Sequence, residues 1–405
     1  MVNVGILGYG TVGSGVVEVI ETNHESINKK AGKEINIKYV LDLRDFPGDP
    51  IQKKIVHDVN IILDDPEINV VVEVMGGVDP AYTFVKKALL SGKSVVTSNK
   101  ALVAKHGAEL LEIARDNRLN FLFEASVGGG IPIIRPMNQS LTADEIKEIS
   151  GILNGTTNYI LTKMDKEGLA FDDVLKDAQE KGYAEKDPTA DIEGYDAGRK
   201  IAILTSLIAG QQVDFEDIHT EGITKITDRD FKYAEKLGRS IKLLGMCKKT
   251  DADDIYAMVA PFMFSPEHAL YPVNGVINGI HLVGNMVGDI TFIGAGAGKL
   301  PTASAVVTDI IDCAKHLGTS IMTFWSREKL ELSDGSAAEY RFYIRIKGDK
   351  NDKLPALESA FGKVQLVEID GVTDEFAVVT DVMAEGRFNE ALDRIDGVLG
   401  KIRML

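Results

Sequence analysis

Cysteine is nearly absent, with only Cys247 and Cys313 in a chain of 405 residues. The two lie far apart and make no metal-ligand spacing, which fits a reducing, cytoplasmic compartment. Positive charge is also short. The chain has 45 Lys and Arg against 61 Asp and Glu, a formal net charge of −16. That balance opposes electrostatic binding to nucleic acid and to anionic membranes, although solubility alone also accounts for it. Long hydrophobic runs are missing, and stretches such as Val70 to Val74 are far too short to span a bilayer. The opening residues, Met1 to Leu7, lack a basic segment followed by a long apolar one, so no secretory signal is expected. What remains is an ordinary globular balance, 44% hydrophobic and 26% charged. The length exceeds one average core and predicts two or three domains.

The first motif stands at the start. Val2 to Leu7 reads as a buried parallel strand, and it feeds Gly8-Tyr9-Gly10-Thr11-Val12-Gly13. Val16, Val17, Val19 and Ile20 then repeat at helical spacing. A strand, a G-x-G-x-x-G turn and a helix let the backbone approach a pyrophosphate at a helix N-terminus. The second strand, Ile35 to Leu41, ends in Asp42-Leu43-Arg44. An acid there suits the ribose 2′-hydroxyl of NAD, and an arginine suits the 2′-phosphate of NADP. Both are present. A polar insert, Thr22 to Lys33, lengthens the first helix or its loop.

Strands at Val70 to Val74, Ser94 to Thr97 and Asn120 to Phe123 alternate with helices near Ala81 to Leu90 and Ala108 to Asn117. That alternation predicts a doubly wound parallel sheet. Ligands bind at the C-terminal edge of such sheets, so Thr97, Ser98 and Lys100 are site candidates. Glu124-Ala125-Ser126-Val127-Gly128-Gly129-Gly130-Ile131 also ends a strand. Two readings stand: a hinge between domains, or a cation site of Glu124 with the carbonyls of Val127, Gly129 and Ile131.

Beyond residue 145 the character changes. A strand at Glu148 to Leu153 precedes Asn154-Gly155-Thr156-Thr157-Asn158, which either caps a helix or lines a pocket. Further strands are expected near Ile255 to Pro261 and Gly279 to Met286, and His268 reads as structural. Gly294, Gly296 and Gly298 precede a helix that opens near Pro301. They serve either close approach to a cofactor, with Gly298 as the candidate, or tight packing. After a polar stretch, the tail reads as a small β-α-β-β-α unit, ferredoxin-like but without a clear last strand. Its closing helix is expected over Phe388 to Ile402, with Ala391, Leu392, Ile395, Val398 and Leu399 on one face.

The most informative segment is Gly182 to Lys200, which sets Glu185, Asp187, Asp191, Glu193 and Asp196 near Lys186 and Lys200. Pro188 and Gly194 shape a loop that runs into a helix, where Asp196 and Lys200 share a face. By itself this is either a solvated acidic loop or a polar substrate site with a tuned proton donor.

Ala178-x-x-x-Gly182-Tyr183-Ala184, Asp187-Pro188 and Asp191-Ile192-x-Gly194-x-Asp196-x-x-x-Lys200 together resemble the homoserine dehydrogenase signature without a gap. Asn154 to Leu161 and Thr302 to Val306 are similar to that family as well, and the tail resembles an ACT regulatory domain. The resemblance implies an α/β fold in distinct parts. Residues 1–130 would form a Rossmann dinucleotide domain, and 131–305 an α+β substrate domain whose mixed sheet forms a dimer interface. Residues 306–325 would form a helix returning to the first part, and 338–405 an ACT-type domain.

It also implies NAD(P)-dependent interconversion of L-homoserine and L-aspartate 4-semialdehyde on the way to threonine and methionine. Glu185, Asp191 and Asp196 would bind the substrate, and Lys200 and Lys100 would lie at the reacting oxygen. A sodium or potassium ion would sit at Glu124, Val127, Gly129 and Ile131. A homodimer or homotetramer is expected, with threonine as effector. Two departures stand out. Leu41 occupies the place where NADP-preferring members often carry arginine. Lys353-Leu354-Pro355-Ala356-Leu357 lacks the glycine that ACT domains often place beside an effector. Another oxidoreductase on the same plan and a nucleotide-binding sensor without turnover are the competing readings.

Overall fold

The computed structural model describes residues 1–250, 253–322 and 324–405. Of the expected returning segment 306–325, residue 323 lies outside that description. The N-terminal part runs β1 (Val2–Leu7), α1 (Thr11–Thr22), α2 (His24–Ala31), β2 (Ile35–Leu41), β3 (Ile55–Val56), α3 (Asn60–Leu63) and β4 (Ile68–Glu73). It continues with α4 (Ala81–Leu90), β5 (Ser94–Thr97), α5 (Lys100–Asp116) and β6 (Phe121–Leu122). Its six parallel strands lie in the order β3-β2-β1-β4-β5-β6. The winding reverses between β1 and β4, which opens a crevice at their C-terminal ends. The β-branched runs of β1 and β4 are buried on both faces, as a parallel sheet covered by helices requires. The polar insert is neither a longer first helix nor a plain loop. The chain breaks at Asn23 and restarts as α2.

The middle part contains β7 (Ile146–Ile152), α6 (Gly155–Glu167), α7 (Phe171–Glu180), α8 (Thr189–Ile192), α9 (Tyr195–Ala209), β8 (Gln211–Gln212), β9 (His219–Thr220) and α10 (Asp228–Lys236). Then follow β10 (Ser240–Lys249), β11 (Ile255–Phe264), β12 (Ile277–Gly284), β13 (Gly288–Ala295) and α11 (Lys299–Lys315). Helix α9 packs against α5 on one side and against β10 and β11 on the other. It therefore lies between the nucleotide-binding part and the second sheet. Helix α11 returns to α1 at a close crossing, where a Cβ on Gly15 would come 2.8 Å from the Lys299 carbonyl.

The tail runs β14 (Ser326–Lys329), β15 (Glu339–Lys347), α12 (Lys350–Phe361), β16 (Val364–Val367), β17 (Glu375–Thr380), β18 (Met383–Ala384), α13 (Glu385–Leu392) and β19 (Val398–Met404). The expected helix over Phe388 to Ile402 ends at Leu392, and the last strand exists as β19. Gly397 sits at φ +84°, a left-handed residue that turns the chain before the strand. Strand β19 pairs antiparallel with β15 and parallel with β11. The tail sheet is thus continuous with the middle sheet, 11 strands in all: nine along the path β13-β12-β7-β10-β11-β19-β15-β17-β16, with β9 beside β11 and β18 beside β15. None of the described helices is long and apolar enough to cross a membrane.

Candidate active site

The nucleotide end is built from backbone. A Cβ on Gly13 would lie 2.0 Å from the Gly8 carbonyl, so no other residue closes this turn. A Cβ on Gly10, the residue that starts α1, would meet nothing within 4 Å. It faces open space at a helix N-terminus, where an anion is stabilised. Thr11 and Val12 form the first turn of that helix. A cavity of about 700 Å³ opens there, lined by Gly8, Gly10, Asp42, Arg44, Val59 and Phe84 among others. The Asp42 carboxylate accepts from the Tyr9 amide at 3.0 Å and forks with Arg44 at 3.0 and 3.1 Å. That fork holds the Asp42 carboxyl well below the usual range. On the next strands Thr97 donates to Glu73 at 2.7 Å, and burial pushes the Glu73 carboxyl up. Glu73 was missed from sequence because it closes a largely apolar strand. Ser98 follows Thr97 half-buried, and Gly298, at φ +122°, precedes α11.

The other end of the candidate site is built from charges. Asp196 is only 3% exposed, in the first turn of α9. One of its oxygens lies 2.7 Å from Nζ of Lys200, one turn further on. The other pairs with Nζ of Lys100, the first residue of α5. Lys200 also donates to the Leu153 carbonyl at 2.6 Å. Asn154 caps α6 by accepting from the Thr157 amide, and its own amide donates to Asp191 at 2.7 Å and Asp196 at 2.9 Å. The cap reading of Asn154 is realised, and the same side chain bridges two of the candidate acids. The bridging role had no sequence signal, because it depends on a residue 42 positions away.

Burial pushes Lys200 below the ordinary lysine value, and Asp196 only partly offsets it. Burial would raise Asp196, but Lys200 and Lys100 outweigh it and hold that carboxyl well below its usual range. Asp191 feels the same two lysines only at longer range, and burial, with the Asp196 charge, raises it. The result is two ammonium groups on one carboxylate and two carboxylates on one amide, at the seam between the two sheets. Such a cluster can hold a zwitterion and deliver a proton.

Two predicted residues stand elsewhere. Glu185 is exposed on its loop, where its carbonyl accepts from Gln179 at 3.0 Å. Glu124 is buried, but its carboxylate does not face the carbonyls of Val127, Gly129 and Ile131. It accepts instead from the amides of Ile133, Ile134 and Arg135 at 2.6 to 2.9 Å, because three successive backbone donors turn towards it. Among the described residues no group of acidic, histidine or cysteine side chains has the arrangement of a metal site. His268 stacks on Phe264, with ring centroids 4.3 Å apart.

Residues 8–124 match the family model described as the homoserine dehydrogenase NAD binding domain, and residues 132–311 match homoserine dehydrogenase. The chain belongs to the homoserine dehydrogenase family. The homoserine dehydrogenase of Bacillus subtilis is 38% identical over 98% of this chain and 95% of its own. The crystal structure of a homoserine dehydrogenase from Thiobacillus denitrificans superposes with a TM-score of 0.89 at 36% identity, covering 100% of this chain and 98% of that one. A hyperthermophilic archaeal homoserine dehydrogenase in complex with NADPH matches at TM-score 0.65 and 31% identity, covering 77% of this chain and 97% of its own.

Proposed function

We propose that this chain interconverts L-homoserine and L-aspartate 4-semialdehyde with NAD or NADP. One observation carries the reading: Asp196 binds Lys100 and Lys200 together at the seam between the nucleotide sheet and the second sheet. A bound nicotinamide supplies or accepts the hydride. Gly10 leaves open space for its pyrophosphate at α1, and Gly8 and Gly13 allow the tight turn that presents it, which fits the dinucleotide. Lys200 donates the proton to the aldehyde oxygen, and burial makes its ammonium a stronger acid for that step. Lys100 stabilises the developing negative charge on the same oxygen. Asp196 holds the two like charges side by side, and Asp191 and Asp196 take the substrate's ammonium. Glu185 is assigned to the substrate as well, from its exposed place on the loop ahead of α8.

The cation reading takes a modified form. With the Glu124 carboxylate committed to amides, sodium or potassium would rest on the carbonyls of Glu124, Val127, Gly129 and Ile131. A Cβ on Gly128 would fill the space 2.3 Å from the Ile131 carbonyl, so the chain fits such a carbonyl cradle. Strand β13 is a sheet edge with Ile293 54% exposed, which supports assembly through the middle part. Residues 338–405 are assigned the ACT-type role, with threonine as effector.

The test is homoserine-dependent reduction of NAD and of NADP at alkaline pH, with sodium or potassium, with and without L-threonine. Turnover is expected. Folded protein with no turnover on either cofactor would overturn the reading in favour of a sensor.

A further inference from the structure

The C-terminal strand reaches the turn that supports the substrate loop through an ion pair whose arginine is buried. Arg403, on β19, is 3% exposed. Its Nε donates to both oxygens of Glu385 at 3.1 and 3.0 Å, and its Nη2 donates to Glu221 at 2.9 Å. Glu221 follows β9, and its amide is anchored on the Val259 carbonyl at 2.7 Å. The next residues press on the loop that carries the site acids. A Cβ on Gly222 would come 2.3 Å from the Ile192 carbonyl and 2.6 Å from Cα of Glu193. The Ile223 amide donates to that same carbonyl at 2.8 Å. Ile192 stands next to Asp191, and four residues before Asp196. On the other side of Thr220, a Cβ on Gly194 would touch its methyl at 3.0 Å.

Beside this link the two sides stand apart. A cleft of about 480 Å³ opens between Glu193, Glu221 and Lys225 on one side and Leu399 and Lys401 on the other. The sheet joins β19 to β11 through the backbone at Arg403 and Phe262, and beside the cleft the side-chain contact from Arg403 to the turn of residues 220–223 is the ion pair to Glu221. We propose that Arg403 is a positioning residue for the substrate loop, acting through Glu221 and the turn of residues 220–223. The proposal rests on the assignment of Asp191 and Asp196 to the substrate. The archaeal relative matches only 77% of this chain, and the family models end at residue 311. The tail therefore biases the loop in this chain and does not build the site. Its coupling should appear as a change in substrate affinity of about fivefold, not as loss of the reaction.

A second tail contact supplies the control. Arg345 on β15 pairs with Asp230 of α10 at 3.0 Å, a more deeply buried pair than Arg403 with Glu221, and α10 makes no part of the loop. The experiment compares steady-state kinetics of Glu221→Gln, Arg403→Met, Arg403→Lys and Arg345→Met in the full chain. Thermal melts and cofactor titrations are run alongside. Glu221→Gln and Arg403→Met are expected to raise KM for homoserine about fivefold with cofactor affinity unchanged, and Arg403→Lys to recover part of that. Arg345→Met is expected to lower Tm and leave KM alone. An unmoved KM in folded Glu221→Gln would overturn the relay, and so would an equal rise in Arg345→Met. Asp191→Asn separates the two readings. If it raises KM and the tail variants do not, the relay alone fails. If it leaves KM unmoved, the substrate assignment fails and the relay with it.

Discussion

The two ends of the site are made of different material. At the nucleotide end, recognition belongs to the backbone: Gly13 nearly touches the Gly8 carbonyl, and Gly10 faces open space at a helix start. At the charged end, proposed for the substrate, side chains from three separate segments converge, with Lys100 from α5, Asn154 before α6, and Asp196 and Lys200 from α9. A backbone site tolerates no added atom but carries no net charge. A side-chain site tolerates reshaping but depends on every charge being matched. The first fails by steric exclusion and the second by electrostatic imbalance.

The largest effect is expected where charge does the chemistry. Lys200→Ala should lower kcat by about 10²–10⁴-fold while the cofactor still binds, since the glycine turn is untouched. Stopped-flow turnover and cofactor fluorescence titration measure the two separately. A variant within a few-fold of wild type would remove Lys200 as the donor. The pH profile sharpens the same point. Burial lowers the Lys200 pKa, so its acid form is lost at a lower pH than for an exposed lysine. Semialdehyde reduction, which needs the ammonium, should fall as pH rises through that value, and homoserine oxidation, which needs the free amine, should rise. Parallel trends in both directions would rule the assignment out.

Next comes the steric end. Gly13→Ala places a methyl 2.0 Å from the Gly8 carbonyl, so the turn must open. The expected cost is about 1–3 kcal/mol of stability together with weakened binding of both cofactors. Calorimetry and cofactor titration check it. Lys200 should keep its low pKa in any variant that still folds, which would show that the two ends are independent.

That division also explains what could be read from sequence. A turn made by spacing is local, so the strand, glycines and helix of residues 2–22 were legible in order. Asp196 and Lys200 were legible as a pair, because four positions on a helix set them together. Lys100 meeting Asp196, and Asn154 bridging two acids, depend on α9 lying between two sheets, which no local pattern encodes. Glu73 was hidden by its strand. In the tail, Val398, Leu399 and Ile402 satisfy a helical stripe as well as an alternating strand. Pairing of β19 with the distant β15 and β11 decided for the strand. Glu124 illustrates the opposite limit: three amides of residues 133–135 claim the carboxylate that a cation was expected to use, and nothing in the local sequence announces them.

The smallest effect lies where the two materials meet. Asp42 is a side chain attached to the glycine turn through the Tyr9 amide, and Arg44 closes on it from a largely exposed position. While the fork holds, the acid's lone pairs are occupied and the arginine's charge is balanced, so neither ribose substituent is strongly favoured. Arg44→Ala breaks that symmetry in one direction. The freed carboxylate gains an open acceptor for a ribose 2′-hydroxyl, and a 2′-phosphate meets a bare negative charge with no arginine to offset it. The ratio of kcat/KM for NAD over NADP should therefore rise severalfold, mostly through weaker NADP binding, and the rise should shrink as salt is added. A fall in that ratio would mean that Asp42 does not face the ribose, and that the adenosine lies against another part of the cavity.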